Sequence, residues 1–332
     1  MNRNKGASLL KAAAAALTIG ASAAYAFPVP TLTAAGISLG FTLTTVVSGF
    51  NDVGGSYDVL GSAVNSDGNI IVNVAREGKN YVFKNLDNQT PGNALSSTSF
   101  GGFASAFAYS NGSVWASANG GRLAKLNNDG SVAQTYSNIP ANQGLWANPI
   151  TGHLIAGNTL IDIDVSGATP TFTTIINGFS ADGVTVSPDG KFAFGSYGTI
   201  VDLTTKTFVN PGFGSVSGAD GMGVISSLDP GLDGDIIVNT TSGNIVLVDH
   251  VTFVQTLIAS GGGYGDYTSP DRTTGTLLLS SSNNLLRLGC GANCGVGAPP
   301  PPVPGIPEPE TYALMMAGLG LLGMVARRRR RR

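Results

Sequence analysis

Histidine and glutamate are almost missing from this 332-residue chain. It has two histidines, His153 and His250, and a single glutamate, Glu77, between Asp52 and Arg287. That shortage works against the commonest general acids and bases. No G-x-S-x-G elbow occurs, so nothing marks a nucleophilic serine with its base and orienting acid. His153 follows a turn glycine and His250 ends a strand-like run beside Asp249; both read as surface or turn residues. Cysteine is confined to Cys290 and Cys294, a C-x₃-C pair that is weak evidence for metal without a histidine nearby. Charged residues make up 11% and aromatics 8%, which leaves little for amphipathic helices.

Glycine is abundant at 47 residues, as suits an all-β protein with many tight turns. The length allows one large or two ordinary domains. The formal net charge of -2 hides an asymmetry: nine Lys and Arg lie in the head and tail segments, and the body carries the other nine against seventeen Asp and Glu77. An acidic body argues against nucleic acid, where neutralising phosphates supplies most of the affinity.

The body repeats. In Ala181 to Val209, the apolar residues Val184, Val186, Phe192, Phe194, Ile200, Leu203 and Phe208 fall in short, mostly alternating runs. Ser187-Pro188-Asp189-Gly190 and Ser196-Tyr197-Gly198 break these runs, which predicts four short antiparallel strands. Comparable turn markers begin at Asn65, Ser110, Asn148, Ser187, Ser227 and Ser269, in steps of 45, 38, 39, 40 and 42 residues. Four strands at a period near 40 predict propeller blades. The sixth repeat, ending at Cys290, has room for three strands only, and the isolated run Phe41 to Ser48 supplies the fourth and closes the ring. Closure removes the exposed edges of an open array. The expectation is an all-β, six-bladed β-propeller over residues 41–296, with a lead-in at 27–40; seven blades is the alternative if residues 28–48 contribute more than one strand. Trp115 and Trp146 are expected in the core between adjacent blades. Gly183-Val184-Thr185-Val186-Ser187-Pro188-Asp189-Gly190-Lys191 resembles the YVTN-like propeller repeats of bacterial surface proteins, which implies a fold and not an activity.

The two ends read as disposable. Arg3, Lys5 and Lys11, an apolar run from Ala12 to Ala24 and the A-x-A of Ala24 and Ala26 have the layout of a signal peptide cut by signal peptidase before Phe27 (residues 1–26). A Gly/Pro-rich linker at 297–306 leads to Pro307, Glu308 and Pro309, an apolar segment from Tyr312 to Ala326 and six arginines. That segment reaches roughly 22 Å as a helix, short of a ~30 Å hydrocarbon core unless arginines snorkel. Gly318, Gly320 and Gly323 spell G-x-G-x-x-G, but with no strand before them they read as small residues of a transmembrane helix. The tail at 307–332 resembles the PEP-CTERM sorting signal of exported Gram-negative bacterial proteins. The resemblance implies recognition by an exosortase at Pro307, Glu308 and Pro309 and removal of the helix. It also implies a membrane-anchored precursor released to the cell surface or beyond, in bacteria that make exopolysaccharide and biofilm.

Chemistry is expected at one place. Asp182 and Asp220 occupy equivalent Ala-Asp-Gly positions, and Asp58 and Asp266 lie near the same point of their repeats. Innermost strands line a propeller's channel, so these carboxyls can converge on one mouth, where a hard cation, Ca²⁺ first, is the ligand to consider. The alternative is that each caps its own turn. Asp229, Asp233 and Asp235 lack EF-hand spacing and read as a solvated turn. Cys290 and Cys294 are expected to form a small disulfide in an oxidising compartment. No other cofactor is expected. The chain reads as a non-catalytic binding module for exopolysaccharide or a surface protein, with an extracellular lyase or hydrolase acting at the channel mouth as the alternative.

Overall fold

Short runs of Val, Ile, Leu and Phe, each too brief to bury both faces of a lone sheet, assemble into six small antiparallel sheets. The computed structural model describes residues 27–50, 58–102, 104–118, 121–140, 143–157, 159–227, 231–291 and 294–296. Ala24, Ala26, Pro307, Glu308, Pro309 and the apolar tail segment lie outside them. Among the described residues no helix is long and apolar enough to cross a membrane.

The sheets are six propeller blades. Their innermost strands are Val59–Val64, Ala104–Ser110, Leu145–Ala147, Val184–Val186, Ala219–Ser227 and Gly265–Asp271, and each begins a blade that steps outward in chain order. Each inner strand packs against the next, and the last returns to the first. The second strands are deeply buried, with Ile70, Ile71, Leu154, Ile236, Ile237, Leu277 and Leu278 all at 0% exposure. Each such side chain contributes about 1.5–3 kcal/mol by leaving water. Trp115 and Trp146 are buried, and the Trp115 indole donates to the Ser110 carbonyl at 3.1 Å.

Ring closure follows the sequence expectation. Strand Thr42–Val47 pairs antiparallel with Asn284–Gly289, with Leu43 opposite Leu288 and Thr45 opposite Leu286, and completes the sixth blade. The lead-in is more structured than expected. Thr31–Leu32 pairs with the outer strand of blade five, and a one-turn helix, Ala34–Ser38, is capped by the Thr33 hydroxyl. At the other end Cys294–Val296 pairs with Ile225 to Ser227, at the end of the inner strand of blade five remote from its start. Cys290 is disulfide-bonded.

The turn markers act as caps. Ser187 Oγ accepts from the Lys191 and Phe192 amides, Asn65 Oδ1 from those of Asp67 and Asn69, and Asn148 Oδ1 from those of Ile150 and Thr151. The amide groups of Asn65 and Asn148 also donate to Asn128 and Gly190 of the following blade, so each turn helps to fix blade spacing.

Glycine has a different task at the channel. A Cβ on Gly183 would collide with the Asp220 carbonyl, and one on Gly221 with the Asp266 carbonyl. Adjacent inner strands are in backbone contact there, and backbone cannot swing aside. Gly221→Ala is therefore expected to destabilise the fold by about 3 kcal/mol, the upper part of the overpacking range. Urea unfolding measures it, and a loss below about 0.5 kcal/mol would contradict such close packing.

Candidate functional site

Every blade contributes to the lining of one cavity of about 530 Å³ at the mouth of the channel. Leu60, Ala75 and Arg76 come from blade one, Ser105 from blade two, Gln143 from the approach to blade three and Asp182 from the approach to blade four. Blade five supplies Asp220, and blade six supplies Tyr264, Asp266 and Tyr267.

The backbone explains how they reach it. In four blades the inner strand carries one extra residue relative to its partner. The steps run from Val59 to Ser62 against Val74 to Val72, and from Ala104 to Phe107 against Ala118 to Ala116. They recur from Ala219 to Gly221 against Thr240 to Asn239, and from Gly265 to Thr268 against Ser281 to Leu279. Leu60, Ser105, Asp220, Asp266 and Tyr267 sit in these bulges, which break the strand alternation and re-aim side chains. Gln143 reaches the same level differently: its backbone is left-handed at φ 62° and its carbonyl accepts the Ser117 hydroxyl at 2.6 Å. Strain of this kind gathers where a site is being shaped.

Three of the four aspartates singled out from sequence meet here. Asp182 Oδ2 accepts the Tyr197 hydroxyl at 2.5 Å, a bond that, with burial and the Asp182 and Asp220 charges, pushes the Tyr197 phenol up to about 12. Asp220 is pushed up to about 7, first by burial and then by the charge of Asp182, against a hydrogen bond from Tyr264. Asp266 is 5% exposed and its Oδ1 has no hydrogen-bond partner. Burial, then the charges of Asp220 and Asp182, hold its carboxyl well above the usual range. Burial and then Asp266 also raise the Tyr267 phenol, opposed by a bond with Ser105. Near neutral pH the cup thus retains protons that exposed carboxyls would have lost.

Asp58 is set apart. Its side chain is fully buried, 3.4 Å from Arg76 Nε, and it is Arg76 that faces the cavity. Asp182 and Asp220 are bonded by the Tyr197 and Tyr264 side chains, and Asp266 by the amide of its neighbour Tyr267, so turn capping is not their work. That work falls to other aspartates, such as Asp202 and Asp249, which accept from backbone amides two and three residues on. Among the described residues no group of three or more His, Cys, Asp or Glu is arranged to hold a metal ion. Asp233 accepts the Ser227 amide, and Asp235 accepts the His250 amide.

Both histidines are elsewhere. His153 Nδ1 is 2.7 Å from Asp162, and His250 Nδ1 is 3.0 Å from Asp235; neither lines the cavity. Sequence reasoning missed Arg76, Ser105, Gln143, Tyr264 and Tyr267. The two tyrosines had a visible sign, because Tyr264-Gly265-Asp266-Tyr267 flanks a named aspartate.

The described residues define a six-bladed β-propeller with an acidic, aromatic-walled channel mouth. To this body the chain adds a PEP-CTERM protein-sorting motif, matched over residues 305–331. The motif implies an exported protein sorted through the membrane and processed by an exosortase. No curated protein matches the chain in sequence. Solved structures of similar shape include a chain of the mitotic checkpoint complex at 12% identity (TM-score 0.47), covering 87% of this chain and 98% of that one. Another is streptogramin B lyase at 11% identity (TM-score 0.48), covering 76% of this chain and 98% of that one. Likenesses this remote bear on neither activity nor partner.

Proposed function

We propose that this protein is a non-catalytic binding module of the outer cell surface or extracellular matrix of a Gram-negative bacterium, with the channel mouth as its ligand site. The observation that carries the reading is the cavity itself. All six blades contribute residues to its lining, its volume lies within the range of ligand pockets, and it combines apolar residues with a few convergent polar groups. The partner class is exopolysaccharide: the sorting tail suits an envelope destination, and tyrosine rings beside carboxyls suit a sugar's apolar face and hydroxyls.

One observation favours a second reading, a lyase or hydrolase acting at the same mouth. A carboxyl raised to about 7, as in Asp220, is tuned as a general acid would be. The absence of any histidine from the cavity lining weighs against it. A glycan array probed with the full-length protein in detergent tests the proposal, followed by mass spectrometry of each bound glycan after long incubation. Retention of intact glycan is expected. Cleaved or unsaturated products would establish the enzyme instead, and no retained glycan would remove the polysaccharide partner.

A further inference from the structure

We infer that the channel mouth recognises an aliphatic ammonium group, so that its ligand is a protonated amine, carried either on an amino sugar of a polysaccharide or on a free small amine. This rests on the reading of the mouth as a ligand site and names the chemistry that the site selects.

The cup is short of positive charge. Asp182, Asp220 and Asp266 share it, and its one cationic lining residue, Arg76, pairs with Asp58. Asp266 Oδ1 is buried in the lining without a partner, and leaving a buried acceptor unpaired costs about 1–3 kcal/mol. A neutral hydroxyl would satisfy that oxygen but would bring no positive charge to a site where three carboxyls crowd together. An ammonium does both, with three donors and a charge. Tyr264 and Tyr267 also line the cup, and aromatic rings attract cations; Leu60 and Ala75 in the same lining suit the carbon skeleton. A bare metal ion has less use for apolar and aromatic walls, and no metal-holding group of side chains is present among the described residues.

Cation binding is also expected to expel protons. Asp220 faces Asp182, Asp266 and Tyr264, with Tyr267 on the neighbouring blade six and the Arg76–Asp58 pair on blade one, the next blade after that. The raised carboxyls of Asp220 and Asp266 return towards the ionised form once a positive charge is seated among them.

The test is calorimetric titration of the full-length protein in detergent at pH 7 with three probes: a glucosamine oligomer, its fully N-acetylated counterpart, and a free aliphatic diamine. The glucosamine oligomer should bind at least tenfold more tightly than the acetylated one. Its apparent enthalpy should vary with the ionisation enthalpy of the buffer, showing proton release. Asp266→Asn and Asp220→Asn, which keep side-chain shape, should each weaken it at least tenfold. Diamine binding at the same site, lost in Asp266→Asn, would support the inference with a free amine as source; binding of the oligomer alone would support it with a glycan as source. Equal binding of acetylated and free oligomers would overturn the ammonium inference and leave the binding-module reading standing. Binding of no probe would overturn the inference, while glycans retained on the array would still uphold the module. Should a variant fail to fold, equal binding of the acetylated and free oligomers by the unmodified protein overturns the inference by itself.

Discussion

Arg287→Met is expected to cost about 3–5 kcal/mol of stability, the range for removing one partner of a buried ion pair. Arg287 stands on the strand that accepts the ring-closing strand, and its side chain is 11% exposed. Nη1 donates to Asp271 at 2.5 Å, Nε to Asp87 at 2.9 Å and Nη2 to Asn85 Oδ1 at 2.5 Å. One guanidinium therefore ties blade six to the loop between the third and fourth strands of blade one, and Thr44 of the closing strand donates to the same Asp87 at 2.7 Å. Asp271 is completely buried. Burial alone would raise its carboxyl, but hydrogen bonds from Thr273, Thr274, Asn85 and Arg287 outweigh that and hold it below the ordinary value. Methionine retains most of the packing volume and strands this carboxylate without its counter-charge. Urea unfolding at pH 7 measures the loss. Arg287→Lys should recover part of it, since it restores charge but not the planar fork that serves Asp87, Asp271 and Asn85 together. A loss below about 1 kcal/mol would mean that the closing seam does not depend on this residue.

That seam also shows what a sequence can reveal. The count of six blades was legible because the turn chemistry is local: Asn65, Asn148 and Ser187 cap backbone amides within five residues, so the markers keep their spacing however the sheets pack. Closure was legible because a lone threonine-rich strand had no partner nearby in the chain. The Ala-Asp-Gly positions were legible because the tripeptide recurs at residues 181–183 and 219–221, and the structure adds the reason for its glycine, the next blade's carbonyl against it. The bulges could not be read, because an extra residue exists only relative to a partner strand. They decide which side chains enter the cavity, so Ser105 and Tyr267 stayed hidden. Asp58 resembles the other aspartates in sequence because its ion-pair partner, Arg76, lies two strands further on. Gln143, uncharged and displaced by its own backbone, gave no sign of occupying a position comparable to Asp182. The two-residue strand and single-turn helix of the lead-in are too short for periodicity to register.

Stability should fall by as much as about 4 kcal/mol as the pH rises from about 4 to 7, opposite to the behaviour of a protein held by ion pairs alone. The sign follows from Asp220, whose carboxyl lies at 3.8 when unperturbed and at about 7 in the fold. Between those values the folded protein holds a proton that the unfolded chain has lost, so each step upward in pH favours unfolding. Some three pH units at about 1.4 kcal/mol each set the size of Asp220's share, which levels off above its own value. Asp266 and Asp235, both raised chiefly by burial, act in the same direction. Below pH 4 the slope should reverse, because Asp271 and the turn-capping Asp202 and Asp249 are held below the ordinary value, and their contribution is lost as they protonate. The expected optimum is therefore near pH 4 to 5. Urea unfolding from pH 3 to 8 traces the curve, and the Asp220→Asn, Asp266→Asn double variant should flatten its upper limb while leaving the acid limb in place. An upper limb that is level in the unmodified protein, or unchanged in the variant, would show that these carboxyls do not carry protons into the fold. Where the limb is steep, a bound cation should stabilise most at high pH, because there it compensates for charges the empty cup cannot shed; stability and recognition then report on the same three carboxyls.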